Sequence, residues 1–152
     1  MSNWGDVAGG PWHLIRRFFL SLPATPPSIE AELWADERLD PGERSLWVRM
    51  SNQDRRHSVA VAKRFLAVRP GATRAEVAGA LLHDVGKIDA QLGTFERVVA
   101  TLVGPRTQRY RSYHDHEAIG ADLVESVGAD PVTVDLVAGH GPAFDDLEAV
   151  DY

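Results

Sequence analysis

Residues 73–87 read Thr-Arg-Ala-Glu-Val-Ala-Gly-Ala-Leu-Leu-His-Asp-Val-Gly-Lys, and this stretch decides the fold. Thr73 and Glu76 stand at the spacing that lets a hydroxyl and a carboxylate satisfy each other's backbone amides at a helix start. The run from Val77 to Leu82 follows without a charged residue, as expected of a helix buried in a core. It ends on His83-Asp84, an ionisable pair whose desolvation is costly unless something compensates it. A metal ion would do so, since neutral imidazole and carboxylate are both ligands. Taken alone, the dipeptide reads more simply as a helix-terminal His beside a capped, solvated Asp.

Working outward, the pattern stays helical. Upstream, Val59, Ala62, Phe65 and Leu66 form one stripe of a helix from Asp54 to Val68, which Pro70-Gly71 ends. Asp40-Pro41 with Glu43 reads as an N-cap, a first-turn proline and a first-turn acid, opening a helix that runs to about Met50. Helices are also expected over Trp12–Leu22 and from Ser28 to about Leu39. Downstream, they are expected over Thr94–Val103, Glu117–Val127 and Pro131–Val137, with one more beginning near Leu147. Strand-like alternation is nowhere sustained. The expectation is an all-α protein of about seven to nine short helices.

Composition narrows the chemistry. The 152 residues include no Cys, which excludes disulfides, thiolate zinc sites and cysteine nucleophiles. Any metal site must therefore draw on His, Asp and Glu. With 44% apolar and 25% charged residues, disordered and fibrous classes are excluded. The net charge of −6 disfavours non-specific nucleic-acid binding. That charge is uneven: residues 1–50 carry −2, residues 51–111 carry +6 and residues 112–152 carry −10. No stretch is long and apolar enough to act as a signal h-region or to span a bilayer, so a cytoplasmic protein with no membrane partner is expected.

The order His57, His83-Asp84-Val85-Gly86-Lys87, His116-Glu117-Ala118-Ile119-Gly120-Ala121, His140 and Asp151 resembles the HD-domain phosphohydrolase superfamily, named for its His-Asp pair. The stretch His83–Lys87 is similar to that family's His-Asp-Ile-Gly-Lys variant, found in small single-domain bacterial members. The resemblance covers residues 50–152 and leaves residues 1–49 as an N-terminal extension packing on the core. It implies a compact multi-helix bundle with the metal site between central helices. It also implies one or two divalent transition-metal ions, drawn from Fe, Mn, Zn, Ni or Co. His57, His83, Asp84 and Asp151 would hold the first ion, and His116 and His140 the second, with Asp84 bridging.

Asp151 competes with Asp145 and Asp146 for the last position. An apolar anchor on Leu147 and Val150 favours Asp151, whereas Asp145-Asp146 reads as an N-cap. Because Asp151 is next to the last residue given, its end is held by a second copy or its ligation is weak. A homodimer is therefore one expectation.

The reaction implied is hydrolysis of a phosphate ester, with a water activated by the metal and oriented by Asp84. Lys87 would neutralise the phosphate, and Arg109 and Arg111, interleaved with Tyr110 and Tyr113, would clamp it and its base. The substrate expected is a nucleotide or another small phosphorylated metabolite, with no stable nucleic-acid complex. Two alternatives share these ligands: a di-iron oxygenase of the same fold, and a non-catalytic regulatory domain that binds metal or nucleotide.

Overall fold

The computed structural model describes residues 25–88 and 116–152, and the described residues are helical with no strand. The elements are α1 (Ile29–Asp36), α2 (Pro41–Trp47), α3 (Asn52–Val68), α4 (Arg74–Leu82), a 3₁₀ turn (Val85–Ile88), α5 (residues 116–126), α6 (Pro131–Val137) and α7 (Phe144–Val150). The expected helices over Trp12–Leu22 and Thr94–Val103 lie outside the described residues.

Local chemistry sets most boundaries. Ser28, Asp40, Ser51, Thr73 and Asp130 each cap the helix that follows by accepting a backbone N–H. At Thr73 the cap is reciprocal: its Oγ1 accepts from the Glu76 amide at 3.2 Å, and Glu76 Oε1 accepts from the Thr73 amide at 3.0 Å.

The last helix departs from expectation. It starts at Phe144 rather than near Leu147, with no side-chain cap, and Asp145 and Asp146 sit inside its first turn instead of capping it. There the two carboxylates face the positive end of the helix dipole, and Asp146 is drawn sideways onto Arg69 at 3.1 Å.

α4 is the centre of the packing. Every residue from Glu76 to Leu82 is buried, as its unbroken apolar run requires, and α2, α3 and α6 surround it. Gly79 lets α6 approach closely, since a Cβ there would meet Leu136 Cδ2 at 2.8 Å. Trp47, Val61, Phe65, Leu81, Leu82 and Leu136 fill the space between these helices. Each is worth roughly 1.5–3 kcal/mol when fully buried. α7 lies along α3 in the opposite direction: Arg69 meets Asp146, Arg64 meets Val150, and His57 meets Asp151. Among the described residues no helix is long and apolar enough to cross a membrane.

Candidate metal centre

Three elements converge where α4 ends. His83 is the C-cap of α4, with its side chain only 9% exposed. Its Nδ1 lies 2.7 Å from the Ala80 carbonyl oxygen. A carbonyl only accepts, so Nδ1 carries a proton and Nε2 is turned to the interior. His57 projects from the second turn of α3, and the rings of the two histidines are 5.9 Å apart. Asp151 follows α7 in a non-helical conformation.

Asp151 Oδ1 lies 2.8 Å from His57 Nε2 and 3.3 Å from His83 Nε2. One donor atom from each of the three residues falls within 4.8 Å of the others, a grouping able to hold a metal ion. Asp84 borders this group, its Oδ2 3.3 Å from His83 Nε2 and 3.2 Å from Lys87 Nζ.

The electrostatics favour a cation at this point. Burial works against the charged form of His83, but Asp84 and Asp151 outweigh it and hold its pKa well above the usual imidazole value. Burial likewise opposes ionisation of Asp84 and Asp151. The histidines overcome it, with Lys87 adding to the effect on Asp84, and hold both carboxyls far below the usual carboxylate range. Burial also opposes the charge on Lys87, yet Asp84 and Asp54 raise its pKa.

The donor set fits a divalent ion. His83 Nε2 is buried and closes no hydrogen bond of normal geometry, although two carboxylate oxygens lie 3.3 Å from it. Ligands about 2.0–2.2 Å from one ion stand roughly 3–3.5 Å from each other, close to the separations found here. The bond from Nδ1–H to Ala80 supplies the outer support that a ligating imidazole needs.

Compared with known protein families, the chain matches the HD domain over residues 55–150. It belongs to the HD-domain family. Neither the curated proteins nor the solved structures contain a match. The helical architecture of the described residues is that of a compact HD-domain bundle, and the matched stretch includes the His83-Asp84 pair at the end of α4.

The other expected site residues are placed differently. His116 opens the described part of α5, and its backbone packs on the 3₁₀ turn: a Cβ on Gly86 would land on the His116 carbonyl oxygen. A Cβ on Gly120 would lie 3.2 Å from the Gly86 amide nitrogen. The two motif glycines are thus a close contact between backbones, which holds His83-Asp84 against α5. His140 is exposed and follows Gly139, whose φ of +82° suits glycine. It lines a cleft of about 420 Å³ with Glu117, Phe144 and Glu148. Neither His116 nor His140 joins the three-residue group. Arg109 and Arg111 lie outside the described residues.

Asp145 and Asp146 do not enter the group either; Asp146 serves Arg69. Of the arginines flanking His57, Arg55 binds Glu32 at 2.8 Å and Arg56 binds Thr25 at 2.7 Å. A residue that sequence reasoning passed over is Arg64, which donates to the Val150 carbonyl at 3.1 Å and the Tyr152 carbonyl at 2.6 Å. It stands seven residues after His57, on the same face of α3, a spacing that could have flagged it.

Proposed function

We propose that this HD domain is a metal-dependent phosphohydrolase, holding a divalent transition-metal ion through His57, His83, Asp84 and Asp151 and cleaving the phosphate ester of a nucleotide or similar small metabolite. The convergence of His57, His83 and Asp151 donor atoms carries the reading. An ion held there would supply Lewis-acid charge and make water more acidic.

The chain's own groups do the rest. The Ala80 carbonyl fixes the His83 ring, so its Nε2 is presented without rotamer search. Asp84 stays ionised at neutral pH and accepts a hydrogen bond from the attacking water, orienting it. Held as a carboxylate beside His83 and Lys87, it can position that water. Lys87 stays cationic, 41% exposed at its side chain, and can turn from Asp84 toward a phosphate oxygen. Such a contact offsets the negative charge that grows as the P–O bond breaks.

The test is elemental analysis of the purified protein, followed by a panel of phosphate monoesters and diesters under argon with Mn²⁺ added. Metal co-purifying near one equivalent and phosphate release without oxygen support the reading. Oxygen-dependent turnover would favour the di-iron oxygenase, and no turnover on any substrate would favour a regulatory role.

A further inference from the structure

We propose that Arg64 is a positioning residue for the metal centre, clamping the turn that carries Asp151 so that its carboxylate faces His57 and His83. The proposal rests on the reading of this cluster as a metal site. Its independent support is the placement of Arg64. The guanidinium spans the carbonyl oxygens of Val150 and Tyr152, the two residues that flank Asp151. Its Cζ also lies 4.2 Å from the centroid of the Tyr152 ring. A planar fork with several N–H groups can reach two carbonyls and stack on a ring at once, which a lysine cannot.

The need for a clamp is visible in the backbone. α7 ends at Val150, and Asp151 has φ −83° and ψ 77°, outside the helix. Its amide makes only a long 3.4 Å bond to the Glu148 carbonyl. A second backbone tie, the Tyr152 N–H donating to the Val150 carbonyl at 3.0 Å, closes a tight turn around Asp151, and Arg64 braces that turn by gripping the residues on both sides. A misdirection of about 1 Å weakens ligation because metal–ligand distances tolerate only roughly ±0.2 Å.

Arg64 shares α3 with His57, so a single rigid element carries both a ligand and the group that aims its opposite. Arg69, further along α3, ties down the start of the same α7 through Asp146 and so provides an internal control. Both arginines hold α7 to α3, but only Arg64 grips the residues beside the ligand.

The test titrates full-length protein with Co²⁺, following the visible absorption of the bound ion, in the wild type and in R64A, R64K and R69A. Melting temperatures in chelator report the metal-free fold. Weakening of Co²⁺ binding by roughly 10- to 100-fold in R64A, the range for outer-shell partners, with an altered absorption band, is expected. R64K should fall between R64A and wild type, and R69A should bind Co²⁺ as wild type does while melting lower. Wild-type affinity and spectrum in R64A would overturn the proposal, as would equal loss in R69A. If R64A does not fold in chelator, R64K decides: wild-type affinity and spectrum there overturn the clamp. Failure of the wild type itself to bind Co²⁺ would instead overturn the metal reading, and the clamp with it.

Discussion

The two ends of α4 abut sheltered carboxylates that behave in opposite ways. At its start, Glu43 is fully buried with Arg74 Nη1 3.1 Å away, and its pKa is pushed up to about 7. Burial is the main cause, and the neighbouring Asp40 carboxylate adds to it. At its end, Asp84 and Asp151 are also sheltered, yet both are held far below their usual values. The difference lies in the partners. Glu43 faces one half-exposed guanidinium and a competing acid, whereas the site acids face inward-turned imidazoles, with Lys87 beside Asp84. One end is a structural tie that tolerates a proton on its acid; the other keeps its acids charged and invites a cation.

The largest effect expected at the site end is loss of metal. H83A combined with D84A should abolish metal binding and reduce phosphate release at least ~10³-fold, while circular dichroism retains most of the helical signal. D151N should weaken metal retention, and the D145N/D146N pair should not; the reverse would move the last ligand into α7.

The pH response should separate the two ends. In metal-free protein His83 is stabilising below its unfolded pKa, and that stabilisation is lost as pH rises through its raised folded value. Glu43 acts in the same direction over a lower window. Its folded pKa exceeds the unfolded one, so the folded state holds the extra proton and stability falls as pH rises from the usual glutamate value of 4.5 to about 7. E43Q should flatten that fall by at most about 3 kcal/mol, read as melting temperature against pH in chelator. Metal should reverse the trend above pH 6.5, because it replaces the proton on His83 and binds more tightly as pH rises. A metal-loaded protein whose stability falls as steeply as the metal-free one would break the comparison.

Smaller effects come from the glycines at either end. G86A should cost about 2 kcal/mol by denaturant unfolding, since its Cβ collides with the His116 backbone. G71A should stabilise by about 0.4–1 kcal/mol, because a Cβ there meets nothing within 4 Å.

Much of this was legible in the residues because it is local. The Thr73–Glu76 capping box, the Asp40-Pro41 start and the stripe of α3 are each encoded within a few positions, and those helices start within two residues of where the signals put them, although α2 ends at Trp47 rather than near Met50. The start of α7 was misplaced because its first turn has no capping side chain to read, and because Asp146 answers to Arg69, 77 residues away. The same limit applied to the site. His83-Asp84 announced itself as a dipeptide, but the grip of Arg64 on the turn beside Asp151 is a tertiary contact across 86 and 88 residues. Its place on the His57 face of α3 marks it as a candidate, but the spacing alone does not say which carbonyls it reaches. Gly86 and Gly120 were read only as motif letters, and their shared role as a backbone contact emerges in three dimensions.

The contact between His57 and Asp151 spans 94 residues. It therefore closes a very long loop, whose entropy is recovered only when α7 docks on α3. α7 is seven residues long, is buried mainly through Leu147 and Val150 and is tied to α3 by Arg64 and Arg69, so it is a small docked segment of the kind expected to open by local unfolding. Each such opening would take Asp151 away from the cluster while His57 and His83 stay in place on their helices. Exchange of a bound ion with solution would then run at the pace at which α7 lifts and reseats, and a bound ion would in turn slow amide hydrogen exchange in α7 more than in α4.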